Sequence, residues 1–352
     1  MFLLREDMPT LLTQIAPQRS TQYAALADAL APYELRLSAI GGLIADIQPA
    51  RFGGQDYLRL ELTSMPDGQQ LRELGALAMV SAFFELRERL GEMDGPWLKP
   101  LDTGFTPAFS TDMVMARRYR GKTNELFTRF MLNVARHSSA FAAEPWSMLR
   151  VLDPLAGGGT TLFSALVLGA HVAGVEKSAQ DVHTTAAFIQ QYAREERIPC
   201  RIKEERLKKV GRRWWFEFGK DDPRRCLLAL GDTLHSAELL AGFKKPHLVV
   251  GDLPYGIQHR GEWERLLQQA LPIWAALLLP GGAMALAWDA TRLAREEMVR
   301  LAQSVLPASC SVLNTPPYDA LAHRVDRVIK RRDVLVVVSS TASTSSPSVL
   351  IS

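Results

Sequence analysis

The sequence predicts a doubly wound α/β domain, because strand-like and helix-like segments alternate over its second half. Six apolar runs have the length of buried strands: 148–152, 171–175, 226–230, 247–250, 283–287 and 334–338. Strands that are apolar on both faces are typical of a mostly parallel sheet covered by helices on each side. A glycine-rich turn directly after the first run supports this architecture, since such turns connect strand to helix in these folds.

Length and composition indicate a globular protein of about two domains. The chain has 352 residues, of which 47% are apolar and 22% charged, so a generally disordered protein is excluded. No apolar run approaches the ~20 residues of a membrane span. The first residues make a poor signal peptide, because Arg5, Glu6 and Asp7 interrupt the apolar stretch. We therefore expect a cytoplasmic protein with no membrane partner.

Cysteine content and net charge limit further which class of protein this is. The three cysteines, Cys200, Cys226 and Cys310, form neither an even set nor a metal-binding spacing, so we expect no disulfide scaffold and no metal site. The formal net charge of +3 neither requires nor excludes a nucleic-acid partner. Whether the protein binds nucleic acid must therefore be inferred from where its charged residues lie along the chain.

The order of segments predicts an accessory module, a main domain and a tail. We expect residues 1–105 to form an α+β accessory module, with RNA binding as a candidate role. In it we predict a helix that ends at Pro32, a strand over 33–38, a long helix that Asp67 caps, and a linker from Trp97. Residues 106–340 should carry the main domain with a basic hairpin inserted near 201–218, and the Ser/Thr-rich residues 341–352 a flexible tail.

The strongest local motif is the glycine loop, residues 153–161, which reads Asp-Pro-Leu-Ala-Gly-Gly-Gly-Thr-Thr. Its glycines let the backbone turn tightly after a buried strand and approach a ligand. Glu176, 23 positions after Asp153, ends the next strand, where a carboxylate can accept hydrogen bonds from both hydroxyls of a ribose. No lysine follows the glycines, so this is not a Walker loop. The loop fits any cofactor that carries adenosine, including NAD.

A third strand end adds Asp232, which could accept a hydrogen bond from an adenine amino group. An Asx turn that binds nothing explains Asp232 nearly as well when it is taken alone. Both acidic residues together fit an adenosine pocket better than either does separately. The candidate cofactor-binding residues of the loop and these strand ends are Asp153, Leu155, Ala156, Gly157, Gly159, Thr160, Thr161, Glu176, Lys177, Gly231, Asp232 and Thr233.

The segment Asp252-Leu253-Pro254-Tyr255-Gly256 follows another predicted strand, and ligands of such sheets bind at the carboxyl ends of strands. The exocyclic amine of a base is a poor nucleophile, because its lone pair is delocalised into the ring. Hydrogen bonds from this amine to Asp252 and to the Leu253 carbonyl would direct the lone pair at an electrophilic methyl group. Tyr255 could stack on the base. We predict Asp252, Leu253, Pro254 and Tyr255 as the catalytic residues.

Residues 148–338 resemble a class I S-adenosylmethionine-dependent methyltransferase. Residues 153–161 are similar to the cofactor motif of that family, and residues 252–255 to the [D/N]PP[Y/F] motif of enzymes that methylate exocyclic amines. Within the class, the chain is most similar to the THUMP-associated tRNA guanosine-N2 methyltransferases and their bacterial relatives, in which the motif also occurs as DPPYG or DLPFG. Leu253 departs from the commoner proline, which weakens the likeness to DNA adenine methyltransferases more than the likeness to the RNA enzymes.

The resemblance implies a seven-stranded sheet, S-adenosylmethionine as cofactor and methyl transfer to a base amine in RNA, with guanine N2 in tRNA or rRNA as the first candidate. It also implies that residues 119–125 pack over the methionine end of the cofactor. Thr123 and Asn124 are therefore further cofactor candidates, with a helix cap as the alternative. Three other functions stay open: a DNA adenine-N6 or cytosine-N4 methyltransferase, an NAD-type oxidoreductase, and a methyltransferase fold that only binds RNA.

Basic segments supply the candidate substrate contacts. The hairpin 201–218 interleaves basic and aromatic residues, which could grip phosphates and stack on unpaired bases, or could pack on the protein body. A second basic cluster, residues 323–332, could also contact RNA. We expect RNA rather than DNA as the partner, and the candidate substrate residues are Gly256, His259, Arg260, Arg213 and Trp214.

Overall fold

Two sheets organise the computed structural model of the chain. The structure describes residues 8–17, 25–117, 119, 122–254, 260–325 and 331–341, with the backbone alone for 260–262. A five-stranded sheet lies in the first hundred residues, and a nine-stranded sheet lies between residues 150 and 339. None of the described helices is both long and apolar enough to cross a lipid bilayer.

The first sheet is antiparallel throughout and has the order β2-β3-β1-β4-β5. Its elements are β1 (Thr10–Ile15), α1 (Leu26–Leu37), β2 (Ile44–Phe52), β3 (Gln55–Leu62), α2 (Gly68–Leu74), β4 (Val80–Leu90) and β5 (Met93–Leu101). The succession β-α-β-β-α-β over the first four strands is ferredoxin-like. The strand β5 extends this unit as a hairpin with β4.

Several local predictions for this region are wrong. Pro32 lies inside α1 rather than at its end, so residues 33–38 are mainly helical and not a strand. The apolar face of α1 is fully buried, and this packing outweighs the local cost of a proline. Trp97 lies within β5 and not in a linker.

The predicted cap Asp67 is confirmed, but the helix that follows is short. The Asp67 side chain accepts hydrogen bonds from the backbone N–H groups of Gln69 and Gln70. The helix α2 ends at Leu74 and is followed by Gly75, where a β-carbon would lie 2.3 Å from Phe105. The residues beyond it that were predicted to continue the helix form β4.

The second sheet has the order β13-β14-β12-β11-β6-β7-β10-β9-β8. Its strands are β6 (Arg150–Asp153), β7 (His171–Glu176), β8 (Cys200–Leu207), β9 (Gly211–Phe218), β10 (Arg224–Leu230), β11 (Leu248–Asp252), β12 (Ala283–Asp289), β13 (Cys310–Leu313) and β14 (Arg332–Ser339). The helices of this region are α3 (Asp112–Met115), α4 (Glu125–Ser138), α5 (Thr160–Leu168), α6 (Ala179–Glu195), α7 (Ser236–Leu239), α8 (Arg260–Leu277) and α9 (Arg295–Val305).

The strand order confirms the predicted fold class. The strands β10, β7, β6, β11 and β12 run parallel, and β14 lies antiparallel between β12 and β13. When the hairpin β8–β9 is set aside, seven strands remain in the arrangement of class I methyltransferases. The hairpin pairs through β9 with the outer strand β10 and so extends the predicted seven-stranded sheet to nine.

The helix α4 joins the two sheets through an apolar core and a buried polar network. Its buried residues belong to the same hydrophobic cluster as those of α1 and the first sheet. The carboxylate of Glu34, in α1, accepts hydrogen bonds from the backbone of Ala78 and Met79 and from the Asn133 amide of α4. On the same helix, the guanidinium of Arg136 pairs with Glu73. The N-terminal module is therefore fixed to a helix that begins beside the predicted catalytic residues.

Candidate functional site

Three predicted acidic residues meet at one edge of the large sheet. Asp153 ends β6, Glu176 ends β7 and Asp252 ends β11, and β6 pairs with both of the other strands. The Asp153 carboxylate lies close to β11, since a β-carbon on Gly251 would be 3.4 Å from its Oδ1. The parallel strands thus place these three carboxylates at one edge of the sheet.

Asp153, at the centre of this edge, has a shifted pKa. Its side chain accepts a hydrogen bond from the Leu155 N–H at 3.0 Å, and the residue is only 3% exposed. Burial raises the pKa of Asp153 to about 7, and the negative charges of Asp252 and Glu176 act in the same direction. A hydrogen bond from Thr161 opposes this shift. The edge is therefore electrostatically suited to a cationic ligand.

The glycine loop turns through two backbone conformations that side chains rarely adopt. Gly157 has φ = 48° and Gly159 has φ = 88°, and α5 starts directly after Gly159. The Glu176 carboxylate accepts a hydrogen bond from the Gly157 N–H at 2.9 Å and from the Ser178 N–H at 2.7 Å. Among the described residues, and apart from the chain neighbours of Gly157, no atom lies within 4 Å of a β-carbon placed on this glycine. The loop thus offers open space beside an anchored carboxylate.

Tyr119 covers the glycine loop. A β-carbon on Gly158 would lie 2.3 Å from the Tyr119 ring, and the Tyr119 hydroxyl is hydrogen-bonded to Thr160. The guanidinium of Arg117 lies 5.0 Å from the centre of the same ring and donates to the carbonyl of Gly158. The sequence indicated Tyr119 only as part of the segment 119–125 and gave no signal for Arg117, whose contacts depend on the folded loop.

Thr123 and Asn124 have different contacts. The Thr123 hydroxyl donates a hydrogen bond to Oδ2 of Asp252 at 2.7 Å. The Asn124 side chain accepts a hydrogen bond from the Phe127 N–H at 3.0 Å and caps α4, which is the alternative that the sequence left open. The segment before the glycine loop therefore contacts the proposed catalytic carboxylate directly.

Arg332 is a site residue whose role sequence analysis missed. Its Nη2 atom lies 3.6 Å from Oδ2 of Asp252, and its guanidinium lies 5.1 Å from the centre of the Phe127 ring. Within the predicted basic cluster 323–332, His323 and Arg332 are buried, at 4% and 3% exposed. Arg324 and Arg331 are exposed, so an RNA contact by these two residues stays a prediction. The only sequence signal was a charged residue at the start of an apolar strand.

The remaining cofactor candidates are spread over the same edge. The exposed Asp232 accepts a hydrogen bond from the Leu234 N–H at 2.8 Å, and the Gly231 N–H donates to the carbonyl of Glu176 at 3.0 Å. The Thr233 hydroxyl is buried and accepts a hydrogen bond from the Trp274 indole at 3.0 Å, so it stabilises the interior. Leu155 is half-buried, Ala156, Thr160 and Thr161 are buried, and Lys177 is exposed.

The side chains of Arg213 and Trp214 pack against the protein body. The Arg213 guanidinium pairs with Glu205 at 2.6 Å and donates to the Leu239 carbonyl at 3.1 Å. Trp214 is 6% exposed and lies edge-on to the His183 ring. The hairpin therefore uses these two residues for packing on the protein body, which was the second of the two interpretations.

Part of the predicted catalytic segment is described and part is not. Leu253 is buried, with its N–H bonded to the Ala287 carbonyl at 2.9 Å, and Pro254 is exposed. Tyr255, Gly256, His259 and the side chain of Arg260 lie outside the described residues. Among the residues that the structure describes, no group of three or more His, Cys, Asp or Glu side chains could hold a metal ion.

Comparison with known proteins shows a likeness in fold only. No family model matches the chain, and no curated protein is detectably similar to it. TrmN from Thermus thermophilus is 15% identical over 94% of this chain and 99% of its own, with a TM-score of 0.44. The rRNA methyltransferase aviRa from Streptomyces viridochromogenes is 15% identical over 65% and 92% of the two chains, with a TM-score of 0.40. SMU.1697c from Streptococcus mutans, in complex with SAH, is 11% identical over 54% and 88%, with a TM-score of 0.35.

At these identities and scores the likenesses decide nothing about activity. The fold assignment rests on the strand order and on the antiparallel strand β14, which are properties of this chain alone. The large, mostly parallel sheet is consistent with a methyltransferase fold.

Proposed function

We propose that this protein is an S-adenosylmethionine-dependent methyltransferase that acts on the exocyclic amine of a base in RNA, with guanine N2 in tRNA or rRNA as the first candidate. The observation that carries the proposal is the position of Asp252 at the end of β11, beside the glycine loop. A carboxylate at that place in this fold has an evident task in orienting an amine. In an oxidoreductase that uses NAD, Asp252 and Leu253 would have no comparable role.

The glycine loop and its carboxylates fit this cofactor. Glu176 suits the ribose hydroxyls, the open space at Gly157 admits close approach, and Asp232 suits the adenine amine. When bound, the cofactor supplies an electrophilic methyl group on a positively charged sulfur. Burial and the charges of two neighbouring carboxylates, Asp252 and Glu176, raise the pKa of Asp153, and this cluster of acidic groups makes the edge favourable for such a cation.

The chemical role of this chain is to activate and orient the amine. Asp252 and the Leu253 carbonyl accept its N–H groups, which directs the lone pair and stabilises the positive charge that grows on nitrogen. Thr123 restrains the Asp252 carboxylate through a hydrogen bond to Oδ2. Once the nitrogen–carbon bond has formed, Asp252 is placed to take the proton that the amine loses.

Calorimetric titration with S-adenosylhomocysteine and, in parallel, with NAD tests the cofactor. Micromolar binding of the first and none of the second is the expected result. Tritiated methyl transfer to total RNA, compared with genomic DNA, then tests the substrate class. Transfer to DNA alone would favour the DNA amine methyltransferase, and binding of NAD alone would overturn the proposal.

An exposed basic turn supports RNA as the partner. The turn between β8 and β9 lies at the same sheet edge as the acidic residues, because Arg212 at the start of β9 pairs with Leu230 at the end of β10. Arg206, Lys208 and Lys209 are exposed there and form no ion pair within the part of the chain that the structure describes. Clustered cations of this kind attract phosphates. They replace Arg213 and Trp214 as our candidate substrate contacts on the hairpin.

The double substitution Lys208→Ala/Lys209→Ala is expected to weaken RNA binding and its salt dependence. Loss of two phosphate contacts should lower the slope of log K against log salt by about 1.5. Filter binding of total tRNA between low and moderate salt measures this slope. The matched control is Arg197→Ala/Lys220→Ala, which removes two exposed cations at the opposite end of the hairpin. Equal slopes for both double variants would contradict a role for the turn.

A further inference from the structure

The position of Arg332 is fixed by backbone pairing on both sides of the strand start. In β14 it pairs with Asp289 of β12. Its N–H donates to the His323 carbonyl at 2.9 Å, and the His323 N–H donates to the Arg332 carbonyl at 2.8 Å. Because β14 is antiparallel, its first residue lies at the edge where the parallel strands end. The fold therefore places this side chain at the site.

The Arg332 side chain is buried among groups that suit a fixed cation. The residue is 3% exposed, and its guanidinium lies 5.1 Å from the centre of the Phe127 ring of α4. Burial, assisted by the charge of Arg332, lowers the pKa of His323 to about 4, so this imidazole is neutral at pH 7. Asp333, the next residue, has a cation of its own in Arg295 at 2.7 Å. Burying a guanidinium is costly unless an anion faces it, and Asp252 does so at 3.6 Å.

We propose that Arg332 is a positioning residue that fixes the Asp252 carboxylate for methyl transfer. This inference rests on the proposed function. Arg332 approaches Oδ2 of Asp252 from β14, and Thr123 donates to the same oxygen from the segment before α4. The hydrogen bond from Thr123 and the charge of Arg332 at 3.6 Å act on one oxygen from different elements and restrict rotation of the carboxylate. A misplacement of about 1 Å can reduce a rate by ~10²-fold, so such a restraint has a measurable effect.

The test measures tritiated methyl transfer from S-adenosylmethionine to total RNA, over a range of RNA concentrations. Arg332→Ala is expected to lower kcat by about 10²-fold while the RNA KM and the affinity for S-adenosylhomocysteine stay within about threefold. Added guanidinium ion should restore part of the rate of Arg332→Ala, because it can occupy the vacated space beside Asp252. It should restore nothing in Asp252→Ala.

A second set of variants keeps the test decisive if Arg332→Ala does not fold. Arg332→Lys keeps the charge but loses the planar fork, and we expect a kcat loss of about tenfold. Arg295→Lys, the matched change in the neighbouring buried pair, should leave kcat within about threefold. Thr123→Val combined with Arg332→Lys should lower kcat by less than the product of the two single effects, since both residues act on one oxygen.

Two results separate this inference from the proposed function. Wild-type transfer together with equal kcat values for Arg332→Lys and Arg295→Lys would overturn the positioning role and leave the function standing. The same holds if guanidinium fails to restore a folded Arg332→Ala enzyme. Absence of transfer by the wild-type protein to RNA and to DNA would overturn both.

Discussion

Replacement of Asp252 by alanine is expected to lower methyl transfer by about 10³-fold or more, since both the orientation of the amine and its charge stabilisation are lost. The affinity for S-adenosylhomocysteine should stay within a few-fold of wild type. The reason is geometric: Asp252 ends β11, whereas the glycine loop assigned to the cofactor follows β6 and Glu176 ends β7. Single-turnover transfer and calorimetry on the same preparation measure the two effects separately.

Glu176→Ala is the reciprocal control for this prediction. Its carboxylate is anchored by the Gly157 and Ser178 N–H groups and faces the loop, so its removal should weaken cofactor binding by about tenfold or more. At saturating cofactor its kcat should fall much less than that of Asp252→Ala. Parallel losses of binding and turnover in Asp252→Ala would show that the roles have been assigned wrongly.

The large sheet and its acidic edge could be predicted because their signals are local. Continuous apolar runs identify buried strands without knowledge of their partners, and the residue after such a run lies at a sheet edge. Asp153, Glu176 and Asp252 each follow a run of this kind. The short strand β13 lacks this signal, because its residues are only partly buried.

The N-terminal module could not be predicted in the same way. Local rules placed a helix end at Pro32, but the helix continues because its apolar face packs in the shared core. The close packing at Gly75, directly after α2, involves Phe105, a residue thirty positions further along the chain. Contacts of this kind are properties of the tertiary structure and leave no local pattern.

The dependence on tertiary contacts also explains why the positions of some polar residues of the site were predicted wrongly. Register decides which basic residues of the hairpin are exposed, so Arg213 turns to Glu205 while Lys208 and Lys209 remain in the open turn. Arg332 meets Asp252 only because β14 returns antiparallel beside β12. Neither pairing can be derived from spacing along the chain.

The helix α4 connects the N-terminal module to the catalytic edge through one buried carboxylate. Glu34 lies in α1 and accepts hydrogen bonds from the Ala78 N–H at 2.9 Å, the Met79 N–H at 2.7 Å and the Asn133 amide at 2.8 Å. The helix that carries Asn133 begins one residue after the cap Asn124, next to Thr123 and its bond to Asp252. The rigidity of the module and that of the proposed catalytic carboxylate are therefore linked by one element.

Glu34→Ala is expected to lower the free energy of unfolding by about 3 kcal/mol, because three buried donors lose their acceptor. Urea unfolding followed by tryptophan fluorescence measures the change, and Asp28→Ala, on the exposed side of α1, should shift it by less than about 1 kcal/mol.

The effect of Glu34→Ala should also depend on pH. Burial raises the pKa of Glu34 above its ordinary value of 4.5, despite the opposing hydrogen bonds from Asn133, Met79 and Ala78. The folded protein then holds this proton at a pH where the unfolded chain has released it, so the stabilisation by Glu34 decreases as pH rises above about 4.5. The loss of stability in Glu34→Ala should therefore be larger at pH 5 than at pH 8. A loss that grows with pH would mean that Glu34 is bound as a stabilised anion, and would contradict this account of the contact between α1 and α4.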